Sequence, residues 1–232
     1  KFIFSNFRVI FRYIRSKIKS DGTENFKISK FLKFSFPVLV LALAFTSIFT
    51  IDLILVKHFF SSFDAGIFAA LSMLGKIIYF AASPITSVMF PIVSRRNSKG
   101  EKFLKVFLLS LGATFFICLG ALSIYFVFPG LSVSILYGQK YLMAADKLIW
   151  MGLFLSFYTL SYFMSNFFMS IGKTQIAYIP FVIALIQAIS IWIYHPSLLS
   201  IIQVSLGLMV ALFLILLTIL GYNMTHGEIA KN

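Results

Sequence analysis

The sequence predicts an all-α, polytopic membrane bundle of about six transmembrane helices. Three observations predict it. Sixty per cent of the 232 residues are hydrophobic and only 12 % are charged, against roughly a quarter charged in an average soluble domain. Six apolar stretches come close to the roughly 20 residues that a helix needs to cross about 30 Å of hydrocarbon. The basic residues fall between those stretches, not on one compact face. In water so apolar a chain would expose large patches; in lipid the same patches are its solvated surface.

The predicted spans are 34–56, 66–90, 103–128, 148–168, 176–194 and 198–222. The fifth is the shortest and carries Pro180 and Gln187. Pro37 near the start of the first span reads as a helix opener. Pro84 inside the second is expected to kink it, as in the broken helices of transporters. The chain divides into a basic segment 1–33, a six-helix region 34–222 and a short tail 223–232. Within 2–19, Ile3, Phe7, Ile10, Ile14 and Ile18 recur at helical spacing, and Arg8, Arg12, Arg15 and Lys19 share another face. That pattern fits an interfacial amphipathic helix, or equally the inner end of a preceding transmembrane helix. A polar break follows over 21–25.

Cationic side chains prefer cytoplasmic loops, which sets an orientation. With the N-terminal segment inside, sixteen Lys and Arg are cytoplasmic and three, Lys57, Lys140 and Lys147, are outside. Both ends of the segment are therefore expected in the cytoplasm. The net charge of +13 reads as topology signal and contact with anionic membrane lipid, not as a nucleic-acid footprint. Arg8, Arg12, Arg15, Arg95 and Arg96 are the candidates for lipid phosphate. A single cysteine, Cys118, lies in an apolar run and excludes a disulfide framework. The sequence begins at Lys1 without Met and shows no signal-peptide pattern, so a longer protein is expected.

Enzymatic chemistry has little to work with. His58, His195 and His226 are scattered, there is no H-E-x-x-H motif, and Asp52 is the one acidic side chain within a span. No catalytic residue, metal or cofactor is expected. Lys76 is the most informative position. It lies ten residues into the second span, at about 15 Å depth on a 1.5 Å rise, where insertion of a lysine costs roughly 2.5–3.5 kcal/mol. Ser72, Lys76, Tyr79, Ser83 and Ser87 follow at spacings of four, three, four and four, which places them in one stripe. Such a stripe should face a water-filled cavity or another helix, not lipid. Lys76 then either attracts an anionic substrate or pairs with Asp52. Asp52 in turn is a candidate coupling-ion or proton site, or the partner of a polar neighbour. Ser156, Thr159, Asn166 and Ser170 form a weaker stripe that reads as packing glue between helices, as do Gln187 and Gln203.

The stretch 64–96, DAGIFAALSMLGKIIYFAASPITSVMFPIVSRR, resembles the second helix of the C-terminal lobe in polysaccharide flippases. These belong to the multidrug/oligosaccharidyl-lipid/polysaccharide exporter superfamily, with its O-antigen and teichoic-acid exporters. LYGQKYLMAADKL from Leu136 resembles the family's G-x-x-Y-x-x-A pattern, here Gly138, Tyr141 and Ala144. Asp52 stands where the family often has an aspartate. The resemblance covers most of the chain through diffuse helix signatures. It implies one six-helix lobe of a two-lobe exporter, with an N-terminal lobe elsewhere in the same protein. The implied activity is movement of a lipid-linked oligosaccharide from the inner to the outer leaflet, its anionic pyrophosphate meeting Lys76. A drug exporter of the same superfamily would favour cationic substrates, which a cavity lysine disfavours. A structural component of an envelope complex, with its stripes packed dry, is a further alternative.

Overall fold

The computed structural model describes residues 28–225, with side chains from 35 onward. The basic segment with Arg8, Arg12 and Arg15, and the tail from 226 with its His226, lie outside the described residues. The chain divides into two units, 1–36 and 37–232. The second holds the bundle described here.

Seven α-helices and two 3₁₀ turns make up the described residues. In order, α1 is Ile28–Phe59, α2 Ser62–Ser98, α3 Leu104–Val127, α4 Pro129–Tyr137, α5 Ala145–Ser170, α6 Tyr178–Ile193 and α7 Leu198–Thr225. The 3₁₀ turns Gln139–Ala144 and Thr174–Ala177 precede α5 and α6. Six helical segments are long and apolar enough to cross a membrane, and they coincide with the six predicted stretches. The chain is an all-α multi-pass membrane protein.

Local chemistry explains the ends. Ser61 accepts from the Asp64 backbone N–H at 3.1 Å and donates to the Asp64 carboxylate at 2.7 Å, a reciprocal cap that starts α2 after a two-residue link. With 37 residues, α2 is about 55 Å long on a 1.5 Å rise, so it projects well beyond a hydrocarbon core of about 30 Å. It runs through both Pro84 and Pro91 without a break in the helix. Pro180 sits in the first turn of α6, where a missing N–H removes no intrahelical bond. One element was not expected: α4, nine residues with Pro129 at its first position. It lies between the third and fourth predicted spans, where a short apolar run gives periodicity too few turns to register. Gly138 ends it at φ 81°, a left-handed conformation that a side chain disfavours. The Tyr141 N–H then bonds back to the Gly138 carbonyl at 3.2 Å, and Ala144 is buried. The G-x-x-Y-x-x-A spacing is thus a local turn that feeds α5.

Helix α5 is the axis of the bundle. In its span 72 % of the hydrophobic window is buried, against 17 % for α3 and 28 % for α7, whose outer surfaces are left for lipid. It packs against α2, α3 and α7. Small residues set the spacing. A Cβ added at Gly75 of α2 would lie 2.9 Å from Met151 Cγ and 3.0 Å from Leu155 Cδ2 of α5. One added at Gly152 would meet the Tyr125 ring of α3 at 3.0 Å. Close approach of this kind is how helices associate in lipid, where no hydrophobic drive pulls them together. Phe107 of α3 lies with its ring 3.9 Å from that of Phe167 of α5. The Tyr125 hydroxyl donates to the Leu74 carbonyl at 2.6 Å. Gln187 of α6 donates to Ser205 of α7 at 2.9 Å, deep in the bundle. Gln203, grouped with it on sequence, is exposed. Lys173, in the turn before α6, reaches Asn223 near the end of α7.

Candidate functional site

The close approach at Gly75 buries the residue beside it. Lys76 is 8 % exposed and Ser72 1 %, both on the side of α2 turned into the bundle. Further along the stripe the wall opens: Tyr79 and Ser83 are half-buried and Ser87 is exposed. The two lower serines return their hydroxyls to their own helix, Ser83 to the Phe80 carbonyl at 3.3 Å and Ser87 to that of Ser83 at 3.2 Å. The predicted stripe therefore exists as a face, dry at the Ser72 end and open at the Ser87 end.

Lys76 does not form an ion pair with Asp52. Its Nζ stands 4.4 Å over the centre of the Phe49 ring from α1, a cation–π contact. Asp52 is 2 % exposed and accepts from the Leu53 N–H at 2.7 Å. The two side chains are near enough for each to feel the other's charge. Among the described residues no carboxylate lies within 4.0 Å of Nζ, and no acceptor is hydrogen-bonded to it. An ammonium with only a ring beneath it has spare capacity for an anion.

An aromatic cluster frames the site. Phe45 and Phe49 of α1, Tyr79 of α2, and Tyr158 and Tyr162 of α5 sit with contacting ring centres 5.2–6.5 Å apart. Edge-to-face geometry dominates, the arrangement that ring quadrupoles prefer. The Tyr158 hydroxyl donates to the Phe45 carbonyl at 3.1 Å, which pins α5 to α1. Phe45, Phe49, Tyr158 and Tyr162 were not picked out from the sequence. Their i, i+4 spacing within each span was a signal, but in a chain with 29 Phe and 10 Tyr it looks like ordinary core.

The other singled-out positions separate. Ser156, Thr159 and Ser170 are buried in α5. Thr159, Asn166 and Ser170 bond backbone carbonyls of their own helix. Arg95 is exposed, whereas Arg96 donates to the Lys102 carbonyl at 3.0 Å and so braces the turn after α2. His58 and His195 lie at the opposite end of the bundle in one aromatic group with Phe59 and Trp192: His195 stacks on Phe59 at 3.8 Å and His58 on Trp192 at 5.6 Å. Among the described residues no group of three or more His, Cys, Asp or Glu stands together as metal ligands would.

Fold and site define a multi-pass membrane protein in which, among the described residues, one lysine is buried inside the helix bundle. Residues 2–146 match the family described as polysaccharide biosynthesis protein, and the chain belongs to it. That gives it a role in polysaccharide synthesis or export. The match includes Asp52 and Lys76 and stops before Tyr158 and Tyr162. No curated protein and no solved structure matches the chain.

Proposed function

We propose that this chain is one lobe of a two-lobe flippase that carries a lipid-linked oligosaccharide across the plasma membrane for surface polysaccharide assembly. The observation that carries the reading is Lys76, a buried cation at membrane depth with a ring below it and no acceptor. An unneutralised lysine there is costly, and a pyrophosphate with its charged oxygens supplies what the site lacks. The open end of the stripe, at Ser83 and Ser87, gives such a headgroup a polar way in. A second lobe facing α1 and α2 would complete the cavity wall. The chain itself does no covalent chemistry in this reading; it lowers the barrier to moving a charged group through hydrocarbon. The sixteen-to-three distribution of Lys and Arg supports inward-facing ends.

The test is substitution at Lys76 in the complete protein. Lys76→Ala should abolish surface polysaccharide while the protein stays in the membrane at near-normal level. Lys76→Arg keeps the charge and should retain part of the activity, because a planar guanidinium still pairs with phosphate. Normal export from Lys76→Ala would overturn the reading.

A further inference from the structure

The connection between α3 and α5 is built unlike the other links. Between Lys105 and Lys140 the chain has no Asp, Glu, Lys or Arg, so the apolar run of α3 continues through α4. The other links carry polar charge: Lys57 and Asp64 flank the first, Lys99, Glu101 and Lys102 fill the second, and Lys173 and His195 stand in the last two. Helix α4 buries one side and bares the other. Val133 is fully buried, whereas Leu131 and Ile135, one turn apart on the opposite face, are 56 % and 77 % exposed. Both serines of α4 return their hydroxyls to its own backbone, Ser132 to the Phe128 carbonyl at 2.9 Å and Ser134 to the Leu131 carbonyl at 3.3 Å. Neither hydroxyl therefore needs water to satisfy its proton.

We infer that α4 is an interfacial helix. It lies in the headgroup layer of one leaflet, at the bundle end opposite Arg95 and Arg96, with Leu131 and Ile135 among the acyl chains. Continuity names membrane lipid as what covers the bare side. Phe126, Val127 and Phe128, at the end of α3, are each more than half exposed on the surface left for lipid and lead directly into α4. Depth is bounded from both directions. With nine residues, α4 is about 14 Å long on a 1.5 Å rise, less than half of a hydrocarbon core of about 30 Å. The first N–H groups of a helix have no partner within it, so this end must stay within reach of headgroups and water. Lys140, exposed just past the Gly138 cap, stands where the charged residues resume. Helices of this kind usually keep a charged face toward water. Here that side rests on the ends of α3 and α5 instead, so no charge is needed. So placed, α4 fixes the depth of the Gly138 turn and of the start of α5.

Spin labels on the full-length protein in phosphatidylcholine nanodiscs test this. With native cysteines replaced, Leu131→Cys, Ile135→Cys and Gln139→Cys each carry a nitroxide. Oxygen concentrates in hydrocarbon, whereas a neutral nickel chelate stays in water. At 131 and 135 collisions with oxygen should exceed those with the chelate, and at 139 the order should reverse. Chelate collisions as frequent at 131 and 135 as at 139 would put α4 in water and overturn the inference. Shielding of both positions from both reagents would overturn it too, and would show protein on that side, a second copy or a further lobe. A fluorophore on Ile135→Cys gives a second measurement. Phosphatidylcholine spin-labelled high on its acyl chain should quench it more than lipid labelled near the chain end. The opposite order would sink α4 into the core and refute an interfacial position.

Discussion

At the scale of single residues, Lys76 and Asp52 are two buried charges with different neighbours. Lys76 rests on Phe49, and Asp52 takes a backbone N–H from the next residue along. A buried pair in direct contact loses several kcal/mol when one member goes, because the other is stranded. Here neither touches the other, although each feels the other's charge, so removing Asp52 should not replace what Lys76 supplies to an anionic substrate. Lys76→Ala combined with Asp52→Ala should therefore fail to restore export. Recovery of export and membrane level together in the double variant, read by surface-polysaccharide staining and immunoblot, would make Lys76 a structural partner of Asp52.

At the scale of elements, the contact of α2 with α5 decides where Lys76 lies. Gly75 allows it, since any side chain there collides with Met151 and Leu155. Gly75→Ala should destabilise the bundle by about 1–3 kcal/mol through overpacking, seen as a lower thermal midpoint in detergent. Gly66 lies on the same helix with nothing within 4 Å of an added Cβ. Gly66→Ala should be neutral or gain up to about 1 kcal/mol from helix propensity. Equal effects at the two glycines would remove close packing as the reason for Gly75. The spans themselves were legible in the sequence because hydropathy over twenty residues is a local property. The aromatic frame was not, since Phe49, Tyr79 and Tyr158 come from three helices and hydropathy carries no information on pairing. The Lys76–Asp52 pairing entertained on sequence rested on their both being charged and on reach; tertiary geometry put a ring under the ammonium instead.

For the whole molecule, successive spans joined by short links place Arg95, Arg96, Lys99, Lys102 and Lys173 at one end of the bundle. Lys57, Lys140 and Lys147 fall at the other. If the basic end is cytoplasmic, a topology experiment follows. In a variant with Cys118 replaced, a cysteine at Gly100 should be shielded from an impermeant thiol reagent applied to intact cells, and one at Gln139 should react. Labelling at Gly100 with protection at Gln139 would invert the protein. Cys118 is buried, so replacement by Ala or Ser should perturb labelling little.

What the sequence by itself determined was the solvent. Sixty per cent apolar residues in six runs can be satisfied only by lipid, and in lipid the backbone must be helical because no water is present to bond it. It also determined that one lysine would be stranded at depth, since charge and position along a helix are read directly from the chain. Tertiary structure alone decided what surrounds that lysine, that Ser72 is dry while Ser87 is open, and which side of α4 is left bare. Each of these depends on which faces of distant helices meet, and that is settled by shape: glycines that let backbones approach, and rings that fill what is left.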